Sequence, residues 1–328
     1  MLVLTILFAI APASGASPIL ALDSPYADGL LPAIRRAATM VPGDLPRSLH
    51  VLVFDRDRAP ASVLVENGPP DTVAIAYPVF QIHYSHGWIM VDSGQDRQLM
   101  EASGASAYAL KSFSDERYSR VQLALRDARM IVLTHEHDDH AAGVIRSPYL
   151  EQIEPKTMLT REQLRSLLDH PGKPRLGLRA KLEPERAAHY TVVDYDRLLP
   201  VAPGVVLVKA AGHTPGSQMV YIRMRSGQEL LLAGDVAWNM SGVLSRHQKS
   251  APVSKSLDED SKAIRDQLDW LHNLAGQRIT VIVSHDDAQI AEIAGSIRAF
   301  GFSNPILAAP GGILSQVTDV WRLRGSLA

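Results

Sequence analysis

The sequence contains no cysteine. That excludes a disulfide framework and any thiolate zinc site, and it leaves the redox compartment open. There is no charge excess: 33 Lys and Arg stand against 35 Asp and Glu, a net charge of −2, so no basic surplus points to a nucleic-acid partner. The apolar run at the N-terminus, residues 2–11 with Thr5 inside it, falls well short of the ~20 residues a helix needs to cross a bilayer. Internal repeats and low-complexity tracts are also absent. What is present is material for a sizeable core: 328 residues, 46% hydrophobic, with 22 Gly and 21 Pro.

The N-terminal run is followed by Pro12-Ala13-Ser14-Gly15-Ala16-Ser17. Small residues at Ser14 and Ala16 suit signal-peptidase cleavage after Ala16. No Lys or Arg precedes the run, so only the amino terminus supplies positive charge. The expectation is an export signal over residues 1–16 and a mature chain, 17–328, that acts outside the cytoplasm. A buried N-terminal strand and a misplaced start codon are the other readings.

Along the mature chain, residues 78–84 and 88–92 flank the polar turn Ser85-His86-Gly87 and read as a hairpin. Residues 115–126 have helical spacing through Tyr118, Val121 and Leu125, and a strand over 130–134 follows. Residues 155–200 read as a mostly helical excursion, with one helix over 162–169 ended by His170-Pro171-Gly172. Strand patterns return at 205–210, 218–224 and 229–233. Residues 258–275 form an amphipathic helix with Ile264, Leu268, Leu271 and Ala275 on one stripe, and with Asp258, Glu259 and Asp260 at its start, where the helix dipole favours anions. A strand over 279–283 and a helix over 287–300, with Ile290, Ile293, Ile297 and Phe300 on one face, complete the pattern. Strands, then strands again with covering helices, predict one layered α/β (α+β) domain with two sheets inside and helices outside.

The chemistry concentrates in His135-Glu136-His137-Asp138-Asp139-His140, three histidines and three carboxylates in six residues. Burying such a run is costly without a cation, because charges removed from water need partners. It follows the apolar run Met130 to Leu133 and precedes the small residues Ala141-Ala142-Gly143. Three later places share its local grammar, a His or Asp just past an apolar strand: Gly212-His213, Gly234-Asp235 and Ser284-His285. Strand ends on one rim of a sheet bring distant residues together, so four such ends can converge on one cleft. Imidazoles and carboxylates suit Zn, and also Fe or Mn. A zincin helix is excluded, because Asp139 stands where His-Glu-x-x-His needs its second His.

With Val91-Asp92-Ser93-Gly94 upstream, these motifs resemble those of the metallo-β-lactamase superfamily, in matching order over about residues 75–290. The resemblance implies a four-layer αββα sandwich with a metal site on one edge. It implies that His135, His137 and His213 hold one metal, that Asp139, His140 and His285 hold a second, and that Asp235 bridges them. Two divalent ions, Zn foremost, would then share and activate a hydroxide. Asp92, Asp138 and Asp286 are candidates to orient ligands by hydrogen bonds. His137 stands where the diiron branch has Glu, which disfavours that branch, and Asp235 is a carboxylate many true β-lactamases lack in this role. The resemblance as a whole also narrows the expected location to the periplasm or the secreted fraction.

The ligand set resembles the lactonase and glyoxalase II-like branches. The expected reaction is hydrolysis of an ester-like bond in a small molecule, foremost a lactone such as an acyl-homoserine lactone, by the metal-bridging hydroxide, with Asp139 and Asp235 as the catalytic carboxylates and Asp139 able to shuttle a proton. Thioester or β-lactam hydrolysis is the alternative. From another class, a mononuclear iron enzyme resembling persulfide dioxygenases would use His135, His137, His213 and Asp235. One position departs from the lactonases: Trp238 stands where they commonly carry a substrate-binding Tyr. Asn239 and His247 are candidate substrate contacts or incidental loop residues, and residues 155–200 could add to the pocket or to a homodimer contact. Nothing suggests the extra domain of the superfamily's nucleases.

Overall fold

The structure is a computed structural model that describes Tyr26 and residues 29–168 and 179–299, with side chains to residue 293. Residues 1–16, the His170-Pro171-Gly172 helix stop, Ile297 and Phe300 lie outside what is described. Two sheets form the centre. In the first, β1 (Ser48–Pro60), β2 (Thr72–His83) and β3 (Trp88–Val91) are antiparallel, and β4 (Met130–Val132), β5 (Thr157–Thr160) and β6 (Thr191–Val193) continue in parallel. The second sheet holds β7 (Leu198–Ala202), β8 (Val205–Lys209), β9 (Gln218–Arg223) and β10 (Glu229–Leu232), each antiparallel to the last, with β11 (Ile279–Ile282) parallel to β10.

Alternation along the strands builds the layers, since successive side chains point to opposite faces. Val205 and Leu207 of β8 join Val220 and Ile222 of β9, Leu230 and Leu232 of β10, and Val91 and Val132 of the first sheet in a core between the sheets. Their neighbours Val206, Val208, Met219, Tyr221 and Leu231 face outward onto the helices Leu30–Ala37 and Ser261–Ala275. On the other side Met90 and Ile131 pack beneath the helices Arg97–Ser103, Asp115–Asp127 and Asp138–Ile145. Both faces of both sheets are therefore covered, which gives the helix–sheet–sheet–helix order. Each fully buried aliphatic side chain contributes about 1.5–3 kcal/mol.

Several expected elements shift. The hairpin forms as expected, with Phe80 opposite Val91 and His83 opposite Trp88, but β2 begins at Thr72. The described part of residues 155–200 mixes helix and strand: beside the helix Arg161–Leu168 and the 3-10 turn Pro184–His189 it supplies β5, β6 and the start of β7. Strands of three or four residues are too short to show a period. The amphipathic helix begins at Ser261 with Asp260 as its N-cap, accepting from Lys262 and Ala263 N–H groups. Asp258 instead ends the preceding helix, Ala251–Leu257, in a left-handed conformation at φ 58°. Leu274, not Ala275, completes the buried stripe.

Candidate metal centre

Parallel and antiparallel pairing together set the rim. β8, β10 and β11 point the same way in the second sheet, and β3 and β4 share a direction in the first, so the residues following each strand are delivered to one edge. The strand-to-helix turn after β4 carries His135 and His137, and the helix Asp138–Ile145 carries Asp139 and His140. That helix sits unusually close to residues 92–94. Gly143 N–H donates to Gly94 O at 2.6 Å, Ser93 N–H and Oγ both donate to His140 O, and a Cβ on Gly143 would lie 2.0 Å from Ser93 O. Only glycine allows this approach.

All seven expected residues meet. Three trios group their ligand atoms, imidazole nitrogens and carboxylate oxygens: His135, His137 and His213; His135, His140 and Asp235; and Asp139, His140 and His285, each trio's atoms lying within 4.8 Å of one another. His137 Nδ1 is 3.2 Å from His135 Nε2 and 3.0 Å from His213 Nε2. Asp235 touches both halves. Its Oδ2 lies 3.4 Å from His213 Nε2, 3.8 Å from His135 Nε2 and 3.2 Å from His285 Nε2, and its Oδ1 lies 3.4 Å from His140 Nε2. Asp139 Oδ2 is 3.4 Å from His140 Nε2 and 3.5 Å from His285 Nε2. Asp139 is the most open of the set, with its side chain 19% exposed while the others are nearly sealed.

Four of the five outer ring nitrogens are anchored, while His137 Nε2 is buried without a hydrogen-bond partner. His140 Nδ1 donates to Asp92 at 2.9 Å, His213 Nδ1 to Glu259 at 2.6 Å, and His285 Nδ1 to the Ala76 carbonyl at 2.8 Å. His135 Nδ1 lies 3.2 Å from the Thr134 hydroxyl, which itself donates to Asp92 at 2.9 Å. Anchoring one nitrogen fixes the tautomer and aims the other inward as a lone-pair donor. Asp92 is held for this task at φ 64°, a left-handed conformation uncommon outside glycine, and it also accepts from Thr134 N–H at 2.7 Å.

The electrostatics call for positive charge. Burial, with His140 and His213 among the neighbours, pushes His135 well below the usual imidazole range, and burial with His213 takes His137 down to about 3. Burial also opposes the charge on Asp139 and Asp235, yet the surrounding imidazoles hold Asp139 down to about 2 and Asp235 well below the ordinary value. These carboxylates, against the cost of burial, raise His140 and His285. Buried His140 Nε2 and Asp235 Oδ1 have no hydrogen-bond partner although they face each other. The neutral imidazoles of His135 and His137, the ionised carboxylates and the unpartnered inward atoms fit divalent cations.

The other expected residues divide. Asp92 orients a candidate ligand. Asp138 does not: its carboxylate accepts from the Arg179 and Ala180 N–H groups, tying down the middle of residues 155–200, while burial raises its pKa to about 6. Asp286 accepts from Met240 and Gln289 N–H groups and so braces the loop beside Asp235. Trp238 donates its indole N–H to Asp235 Oδ2 at 2.7 Å, with its ring against His285. Asn239 caps the helix Met240–Ser245, and His247 is exposed. Sequence patterns did not reveal Glu259 or Lys249, whose buried ammonium donates to Glu259 at 2.7 Å. Burial raises the Glu259 carboxyl, but the Lys249 charge and the His213 hydrogen bond outweigh that and hold it at about 2. The acidic run at residues 258–260 was the one signal present, and it pointed to the helix dipole.

Among solved structures, the fold is similar to a quorum-quenching N-acyl homoserine lactone lactonase, with a TM-score of 0.55 and 17% identity over 75% of this chain and 94% of the other. It is similar also to an N-acyl homoserine lactone hydrolase carrying its product N-hexanoyl-L-homoserine at the metal centre, at 0.56 and 16% over 75% and 95%. A probable metal-dependent hydrolase from Staphylococcus aureus matches at 0.56 and 14% over 75% and 91%. No curated protein matches the sequence. The family model of the metallo-beta-lactamase superfamily matches residues 79–285, spanning every strand end that feeds the centre. With that match, the two covered sheets and the cluster of His and Asp side chains able to hold metal, the chain belongs to the metallo-beta-lactamase superfamily.

Proposed function

We propose that the protein is a dinuclear metal-dependent hydrolase of an ester-like bond, with a lactone as the leading substrate. The observation that carries this reading is the position of Asp235, whose two oxygens face the His135/His137/His213 group and the Asp139/His140/His285 group at once. His135, His137 and His213 would hold one ion, Asp139, His140 and His285 the other, with Asp235 between them. Two divalent ions, zinc foremost, supply a nucleophilic water at neutral pH and polarise the substrate carbonyl. A mononuclear iron site would leave Asp139, His140 and His285 without purpose, although they converge as tightly as the rest.

Within the reaction, Asp139 is the most exposed carboxylate of the set and is placed to take up and release the proton that moves to the leaving oxygen. Asp92 and the Ala76 carbonyl keep His140 and His285 from turning. Trp238 is committed to Asp235, so a hydrogen bond to the substrate comes from another donor. Tyr77, half-buried with its ring 5.2 Å from His285, is the phenol at hand. The likeness in fold to two N-acyl homoserine lactone hydrolases supports the lactone over a thioester or β-lactam.

Full-length protein should contain two metal ions and open a lactone faster than it cleaves thioester, aryl ester or cephalosporin substrates assayed beside it, and Asp235→Ala should lower that activity to background. A fully loaded protein inert towards all four would overturn the hydrolase reading; one equivalent of iron would overturn the dinuclear one. Export through residues 1–16 is proposed separately, and N-terminal sequencing of protein recovered outside the cytoplasm, starting at Ser17, is its check.

A further inference from the structure

Lys249 and Glu259 are both completely buried, each side chain 0% exposed. A buried ammonium is costly unless its protons are all accepted and its charge is answered. Here Nζ donates to the backbone oxygen of Asp235 at 2.6 Å and to Glu259 Oε1 at 2.7 Å, reaches Val236 O at 3.5 Å, and lies 5.3 Å from the centre of the Trp238 ring. Glu259 Oε1 also receives the His213 Nδ1 proton at 2.6 Å. Next to it, Asp260 N–H donates to Gly212 O at 2.8 Å and straps the same loop. One ion pair thus joins the turn after β10, which carries Asp235, to the turn after β8, which carries His213. A fold has little need of such a pair for stability, since apolar groups of similar size replace buried ion pairs at little or no cost.

We infer that Lys249 and Glu259 form a positioning unit for the metal position lined by His135, His137 and His213. The carboxylate holds His213 as the Nδ1–H tautomer and makes its Nε2 a stronger donor. The ammonium neutralises that carboxylate and fixes it relative to the backbone of Asp235. Both side chains are sealed from solvent, so neither touches substrate. The action is uneven: of the other position's ligands only the shared Asp235 is touched, through its backbone oxygen, while His140 leans on Asp92 and His285 on the Ala76 carbonyl.

The inference rests on the two-metal reading above, and its test reads zinc binding instead of activity. Full-length wild type, Glu259→Gln and the double variant Lys249→Met/Glu259→Gln are loaded with zinc and titrated against a chromophoric chelator, and their thermal unfolding is followed without metal. The double variant strands no buried charge and so keeps the fold. The expected result is two zinc ions in wild type and, in both variants, a loss of about 10–100-fold in affinity for one ion with the other changed far less. Cobalt(II) in place of zinc should show a changed visible spectrum for half of the bound metal. Wild-type affinities for both ions in the double variant would overturn the positioning role alone. So would an equal weakening of both ions that tracks a lowered unfolding temperature, which marks a purely structural pair. Wild type that binds no zinc would overturn the two-metal reading itself and this inference with it.

Discussion

Replacing Asp92 with Asn separates the charge of this residue from its backbone conformation, because Asn tolerates the left-handed φ of 64° nearly as well as Asp. The native carboxylate has three tasks: it accepts from Thr134 N–H at 2.7 Å, from the Thr134 hydroxyl at 2.9 Å and from His140 Nδ1 at 2.9 Å. One amide oxygen can keep the Thr134 contacts, but the amide NH2 then faces the His140 Nδ1 proton. Either two donors oppose each other in a buried place, or His140 changes tautomer and turns a protonated Nε2 towards the metal. The first outcome loses a hydrogen bond to a charged group, worth ~1.5–3 kcal/mol. The second removes a ligand. In the metal-free protein Asp92→Asn should lower stability by about 2 kcal/mol, a drop of ~3 °C in unfolding temperature for a domain of this size. In the metal-loaded protein it should weaken one of two zinc affinities by about 10–100-fold, at the position lined by Asp139, His140 and His285. That is the position Glu259→Gln should spare, so a protein carrying both substitutions should lose tight binding of both ions. Chelator competition reads the affinities and calorimetry the stability. Two wild-type affinities in Asp92→Asn would refute the claim that Asp92 fixes His140 as a donor.

Gly143→Ala places a methyl 2.0 Å from Ser93 O; overpacking of this kind costs ~1–3 kcal/mol, to be read as a lower urea midpoint with an unchanged slope. His50 and His83 are stacked, with ring centres 4.1 Å apart, and burial pushes them down to about 3 and about 4. The unfolded chain takes up their protons below pH ~6.5 while the folded one does not, so stability is complete above that pH and falls as pH drops towards 3. The loss should be on the order of a few kcal/mol, and His50→Phe should flatten the slope between pH 6.5 and 4 in denaturant titrations. Glu154, 1% exposed, is held by Arg186 through contacts of 2.5 and 2.7 Å. Arg186→Ala leaves that carboxylate only His189 Nδ1, at 3.1 Å, and should lower stability, with faster proteolysis between residues 179 and 190 as the measurement.

The candidate ligands are legible in the amino-acid sequence because a metal centre uses chemically costly residues, and the chain places them just after apolar strands: His135 after β4, His213 after β8, Asp235 after β10 and His285 after β11. The layered class is legible for a similar reason, since alternation such as Val205-Val206-Leu207-Val208 allows both faces of a strand to be covered. β5 and β6 are not legible, being too short for a period to appear, and neither is the start at Ser261, since Asp258, read as the first residue of that helix, is left-handed and ends the helix Ala251–Leu257.

What the sequence determined by itself was therefore which residues are available to hold metal and the kind of strand that delivers them. Only the tertiary structure decided which groups stand behind them. Asp92 orients His140 while Asp138 and Asp286, its equals in the sequence pattern, tie down backbone instead. Trp238 turns inward to Asp235, and Lys249 reaches Glu259 and through it His213. A ligand is marked by its own chemistry and local context. A hydrogen-bond partner is marked by the path of a distant loop, and a path that closes over 46 residues, as from His213 to Glu259, leaves no periodic trace in the chain.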